Sequence, residues 1–327
     1  MLKRMLAAGL LLGALALPFH VAQAADHHEG KRVALFLGPT DDVYLGAINK
    51  YFTSEAGTLG MKVTTFSSPF DPALQAQQID DAIAQKYDLL AIQILSQKAI
   101  VPPLLRAKAA HIPVVLIAAP FTDNSHDQLY ETYVGTDNTI AGTLAGQAIV
   151  NALEASHRKT AKIGVLAGAM AEGNAPTRAA AIKAVMAKHP NYKIVALEDT
   201  QWDPVKAERA AGQLIARFSG QGGLDAFYGM SDTIANAAVQ AAKSAGVKLG
   251  ENGLVIVGGS CQKPGIQDIR AGTMVATVLV APSIEGKMGA DAVAKVFDGV
   301  KQPKRQHGPH EIVDTATLSK YADLCTF

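Results

Sequence analysis

The sequence predicts an α/β protein of two similar doubly wound parallel-sheet lobes in tandem. Three observations predict it: short apolar, β-branched runs alternate with longer Ala-rich helical stretches, the alternation begins again near residue 138, and no Pro/Ser-rich linker separates the halves. Continuous apolar strands, each followed by a helix, are the pattern of a parallel sheet covered on both faces. Gly135-Thr136-Asp137-Asn138 passes from strand to helix through a brief turn, so the two units must lie close together. Two such sheets side by side put the carboxyl ends of their strands on a shared crevice, where ligands of this architecture bind.

Taken in order, the first half has predicted strands at 33–38, 62–68, 89–95, 114–120 and 130–136, with helices at 43–60, 71–86 and 98–110. Asp71-Pro72 opens the second helix with an oxygen acceptor at the N-cap and a residue lacking N–H at the first helical position. The second half repeats the layout with strands at 162–168, 193–200, 226–230, 254–260 and 274–280, and helices at 138–156, 174–188, 203–219, 231–245 and 282–298. Asp203-Pro204 caps a helix as Asp71-Pro72 does. Asp137, and Asp232 beside Ser231, read as further helix caps. The basic run Lys301-Gln302-Pro303-Lys304-Arg305 reads as a solvated loop.

Composition narrows the function classes. Hydrophobic residues make up 49% and charged residues 18% of the 327, which excludes intrinsic disorder. Two cysteines cannot staple a fold of this length. Thirty basic against 29 acidic residues leave a net charge of +1, without the basic face that nucleic acid requires. Residues 1–24 read as a cleaved signal peptide: Lys3 and Arg4 precede an apolar run that ends at Leu17, Pro18 breaks it, and Ala22-Gln23-Ala24 is an A-x-A site. That run is too short to span a bilayer of about 30 Å, and no later run approaches a span, so no membrane insertion of the mature chain is expected. Export permits a Cys261–Cys325 disulfide, with two free thiols as the alternative. No Cys or His cluster has zinc spacing, His27-His28-Glu29 reads as a solvated end, and no cofactor is expected.

Several landmarks follow one another in a telling order: Val33-Ala34-Leu35-Phe36-Leu37-Gly38 before Asp41-Asp42-Val43-Tyr44, then Asp88-Leu89-Leu90-Ala91-Ile92, Ile112-Pro113-Val114-Val115 and Val134-Gly135-Thr136-Asp137-Asn138. Later come Ala226-Phe227-Tyr228-Gly229-Met230-Ser231-Asp232, Val255-Ile256-Val257-Gly258-Gly259 and Val275-Ala276-Thr277-Val278. With these, the chain resembles the periplasmic solute-binding proteins of sugar-type ABC transporters, the ribose-binding-protein-like group of type I periplasmic binding proteins. The resemblance implies two lobes joined by a three-segment hinge, 31–136 plus 281–309 and 137–280 plus 310–327. It also implies a ligand held between aromatic rings and polar strand-end side chains, and hinge closure that presents a surface to the transporter.

Carried over residue by residue, the resemblance implies a ligand site at Asp42, Tyr44, Ala118, Ala119, Pro176, Trp202, Ser231, Ser260 and Val280. Asp42 stands where the family commonly has Asn, and Tyr44 and Trp202 keep the aromatic walls. Ala118 and Ala119 replace an Asp-Arg pair, Pro176 an Arg, Ser231 an Asn, Ser260 an Asp and Val280 a Gln. An unpaired buried hydroxyl costs about 1–3 kcal/mol, so a site stripped of these charged groups favours a short polyol or another compact molecule over a standard aldose. A cationic ligand that pairs with Asp42 is compatible.

The expected function is therefore a periplasmic receptor that delivers a small ligand to an ABC transporter permease. The alternative is a periplasmic sensing partner of a membrane histidine kinase or chemoreceptor. An exported hydrolase is disfavoured: Gly258-Gly259-Ser260-Cys261 begins like a nucleophile elbow, but Gln262 takes the final glycine's place and His307 and His310 lie in a Pro/Gly-rich connection.

Overall fold

The computed structural model describes residues 28–327; the expected leader, 1–24, lies outside the described residues. The first sheet is built from β1 (Arg32–Leu37), β2 (Lys62–Ser67), β3 (Leu89–Ile92), β4 (Val114–Ile117) and β5 (Thr132–Gly135). Helices α1 (Val43–Thr58), α2 (Pro72–Ala84) and α3 (Val101–Ala109) follow its first three strands. The second sheet contains β6 (Ala161–Ala167), β7 (Tyr192–Asp199), β8 (Ala226–Gly229), β9 (Val255–Val257) and β10 (Ala276–Val278). Its helices are α4 (Asn138–Ala155), α5 (Asn174–Ala187), α6 (Pro204–Ser219), α7 (Asp232–Ser244) and α8 (Lys263–Arg270). The chain ends with α9 (Pro282–Phe297), β11 (Arg305–His307), β12 (Ile312–Asp314) and α10 (Leu318–Tyr321).

The two sheets have matching strand orders, β11-β5-β4-β3-β1-β2 and β12-β10-β9-β8-β6-β7. All neighbours run parallel except β12, which is antiparallel to β10. The fold is thus the expected pair of doubly wound lobes. Strand β1 shows why its sequence carries no polar alternation: Val33, Leu35 and Leu37 pack in one core with Ile48, Phe52 and Val293, while Ala34 and Phe36 enter another with Ile79 and Leu104. A strand covered on both faces must be apolar throughout.

Several ends differ from the sequence reading. The strand expected at 254–260 stops at Val257, because Gly258 and Gly259 bend against the Asp232 carboxylate; a Cβ on Gly258 would lie 2.1 Å from its Oδ1. The basic run reads as leading into a last strand of unstated bounds; two three-residue strands, β11 and β12, follow α9, and Arg305, read as part of a solvated loop, opens β11 opposite Tyr133. His28, read as part of a solvated end, is buried against the Phe297 ring; His27 lies outside the described residues.

The chain passes between the sheets three times, at 136–137, 279–281 and 308–311. Glu285, on the first turn of α9, lies beside all three passages. It accepts from Thr136 Oγ1 at 2.9 Å and from Tyr44 Oη at 2.5 Å, its amide donates to Ala281 O at 2.9 Å, and a Cβ on Gly308 would lie 3.4 Å from its Cγ. Beyond α10, Cys325 is disulfide-bonded to Cys261, with Cα atoms 4.9 Å apart and a sequence separation of 64. The bridge sits in a small buried cluster with Ile266, Leu279 and Val313.

Candidate ligand-binding site

In each sheet the connection order reverses at one point, between β1 and β3 in the first and between β6 and β8 in the second. Beyond the carboxyl ends of strands at such a reversal, neighbouring loops turn apart and leave a crevice. The two crevices face each other and enclose a cavity of about 60 Å³. At roughly 10–15 Å³ per water, that is room for about four to six water-sized groups.

The first lobe contributes Asp42, Tyr44 and Leu45 after β1, Phe70 after β2 and Gln93 after β3. Asp42 caps α1, its Oδ1 accepting from the amides of Tyr44 (3.0 Å) and Leu45 (2.9 Å). Burial raises its pKa above the ordinary carboxylate value, against the lowering by those amides. The Tyr44 hydroxyl is committed to Glu285, which leaves its ring for the cavity.

The second lobe supplies a more charged wall. Glu172 follows β6 and is 1% exposed; its Oε1 accepts from Trp202 Nε1 at 2.7 Å, while Oε2 has no partner. Burial pushes its pKa up to about 8; the Trp202 hydrogen bond and Arg178 pull down, and Asp42 and Asp199 push further up. Gln201 and Trp202 are both left-handed, with φ of 55° and 60°, a conformation that costs an L-residue roughly 1–2 kcal/mol. This turn lays the indole on the backbone of Gly168, where any Cβ would lie 2.0 Å from the ring. Arg178, one turn into α5, is buried and donates from Nε to Asn138 Oδ1 (2.8 Å) and from Nη1 to the carbonyls of Met230 (2.5 Å) and Gly259 (3.2 Å).

Ser260 and Gln262 line the cavity from a loop that Asp232 pins in place. Asp232 Oδ1 accepts from Thr277 Oγ1 and from Gly259 N (3.0 Å), and Oδ2 accepts from Gln262 N (2.7 Å). Ser231, not Asp232, caps α7, accepting from Ile234 N at 3.2 Å, so the reading of Asp232 as a cap is corrected. Ser260 Oγ accepts from Asp232 N at 3.2 Å. Two hydrogen bonds join the lobes at the rim: Gln97 N to Ala171 O and Asn174 Nδ2 to Ala118 O, both 3.2 Å.

A model of the periplasmic binding protein domain matches residues 33–301. The chain belongs to the periplasmic binding protein family. It is similar to the ribose import binding protein of Haemophilus influenzae, 25% identical over 82% of this chain and 86% of that protein. It is also similar to the D-allose-binding periplasmic protein of Escherichia coli, 27% identical over 79% of this chain and 80% of that one. Among solved structures, an ABC transporter solute binding protein of Mycobacterium smegmatis with bound glycerol shares the fold with a TM-score of 0.79 at 23% identity, covering 88% of this chain and 96% of that one.

In this periplasmic binding protein, six of the nine expected residues meet at the cavity: Asp42, Tyr44, Trp202, Ser231, Ser260 and Val280. Ala118, Ala119 and Pro176 do not line it. Ala118 (φ 62°) and Ala119 are buried behind the rim, and the Ala118 carbonyl is taken by Asn174. Pro176 lies in the first turn of α5 between Asn174 and Arg178; those two are four residues apart and share the cavity face, and a residue midway between them points elsewhere. The sequence reading missed Glu172, Asn174 and Arg178. The signal available was a polar, glycine-containing Glu172-Gly173-Asn174 step between a buried strand and a helix. Among the described residues no cluster of His, Cys, Asp or Glu could hold a metal, and no helix is long and apolar enough to cross a membrane.

Proposed function

We propose that this chain is a solute receptor of the periplasm that closes on one small molecule and hands it to the permease of an ABC transporter. The observation that supports this most directly is the cavity itself: its walls come from the facing crevices of two lobes, so a ligand there is held only when the lobes meet. Relatives whose names specify ribose import favour delivery to an importer over sensing for a kinase. The moving bodies are 31–136 plus 281–309 and 137–280 plus 310–327, pivoting where the chain passes between the sheets. Asp42, Tyr44, Trp202, Ser231, Ser260 and Val280 bind the ligand, and the chain catalyses no reaction on it.

A thermal-shift screen of the mature chain against sugars, polyols, small alcohols, acids and amines tests this. A ligand at 100 times its Kd stabilises by about 2.7 kcal/mol. Trp202 is the only tryptophan, so binding is expected to change its fluorescence saturably while solution scattering shows a smaller radius of gyration. A bound ligand that leaves both signals unchanged refutes the two-lobe clamp.

A further inference from the structure

One carboxyl oxygen in the cavity wall is left unmatched. Glu172 Oε2 is enclosed without a hydrogen-bond partner, and a buried polar atom in that condition calls for a group to satisfy it. The charged groups facing it are Asp42 on the opposite lobe, Asp199 at the end of β7, and Arg178 on α5. Arg178 is the one cation among the described residues lining the cavity, and its Nε and Nη1 are held by Asn138, Met230 and Gly259. The remaining wall includes the rings of Tyr44, Phe70 and Trp202. Aromatic faces carry partial negative charge and attract an organic cation.

We propose that Glu172 is the specificity-determining residue of this cavity and selects a compact ligand carrying one protonated amine, whose ammonium donates to Oε2 between the aromatic rings. The proposal rests on the solute-receptor reading above. With such a ligand in place, the charges of Asp42, Glu172, Arg178 and the ammonium sum to zero. A neutral polyol can donate a hydroxyl to Oε2 but brings no positive charge to hold Glu172 ionised.

The proton balance follows. With its pKa near 8 in the empty cavity, Glu172 is largely protonated at pH 7. An ammonium within hydrogen-bond reach favours the carboxylate, so Glu172 gives its proton to the buffer as the amine, already protonated, enters. Amine affinity then rises as pH increases from 6 towards 8, by up to about tenfold per unit, and falls once pH passes the amine's own pKa.

Calorimetry on the mature chain with matched pairs tests this: 2-amino-1,3-propanediol against glycerol, ethanolamine against ethylene glycol, and D-glucosamine against D-glucose. The expected result is that the amine of at least one pair binds tenfold or more tighter than its neutral partner. Its binding enthalpy should vary with buffer in the sense of proton release, and Glu172→Gln, which retains an acceptor for Trp202, should erase the preference without lowering Tm. If neutral partners bind as tightly, or the preference survives in E172Q, the proposal is overturned while the receptor reading stands. If no amine binds, the proposal is equally overturned. The receptor reading falls with it only if nothing in the wider screen compacts the lobes.

Discussion

Closure of the two lobes hinges sterically on Gly173. Its backbone, φ −86° and ψ −26°, is open to any residue, so the glycine is not there for conformational freedom. It is there for space: a Cβ at this position would lie 2.1 Å from the Pro120 carbonyl oxygen across the cleft. A normal C···O contact is roughly 3.3 Å or more, and backbone on both sides cannot swing aside. Gly173→Ala therefore parts the lobes by on the order of 1 Å at the rim. That stretches the 3.2 Å hydrogen bonds from Gln97 N to Ala171 O and from Asn174 Nδ2 to Ala118 O beyond useful length. At about 0.5–1.5 kcal/mol each, the closed form loses roughly 1–3 kcal/mol against the open form. Because only the closed form holds ligand on both sides, apparent affinity should fall about 5- to 150-fold. Unfolding free energy should stay within about 1 kcal/mol of the parent. Titration of the best ligand from the screen, with scattering of the free and bound protein, reads both effects. An alanine variant that binds with parental affinity and compacts as fully would refute the steric argument.

Three further outcomes are expected. Asp42→Ala should weaken ligand binding at least tenfold and cost about 1 kcal/mol of stability through the lost cap; Asp42→Ser should recover the stability in denaturant unfolding but not the affinity in titration. Cys325→Ser should cost about 4 kcal/mol on the chain-entropy account of a 64-residue separation, and should also weaken binding, because Cys261 lies between the cavity residues Ser260 and Gln262; unchanged affinity would detach the bridge from the site. Burial holds Glu285 up at about 7 against an ordinary 4.5, so between those values the folded state binds more protons than the unfolded state. Stability from this group is complete below about pH 4.5 and lost as pH rises through 7; Glu285→Gln should flatten that part of a Tm-against-pH profile.

The fold was legible because its signals are local and redundant. Each strand of a doubly covered sheet must be apolar along its length, as β1 and β3 are, and Asp71-Pro72 and Asp203-Pro204 mark helix starts by chemistry that needs no tertiary context. The bounds of the short β11 and β12 were not legible, since three half-polar residues acquire strand geometry only from an edge already present. The aromatic walls and the residues after β1, β8 and β9 could be placed because strand ends fix them. Glu172 and Arg178 could not: nothing local says that a carboxylate is sealed with one oxygen unmatched, or that a guanidinium is held by the Met230 and Gly259 carbonyls and the Asn138 side chain. Position alone also misplaced the duty of Asp232, since capping and loop-pinning draw on the same residue type at the same step from strand to helix.

The order in which the chain visits its lobes bears on how it folds. The principal helix partner of α1 in the first lobe is α9, more than two hundred residues later, and the edge strand β11 is later still. A nascent chain carrying β1 through β5 therefore has one face of its sheet covered by α1 alone until α9 emerges after the whole second unit. Contacts of such long sequence separation are slow to form, because the loop entropy must be lost before they reward it. The second unit, contiguous from α4 to β10, has no such wait. The polypeptide is thus expected to acquire its second half as an early compact nucleus and its first half last, leaving the amino-terminal portion loose until synthesis is nearly complete.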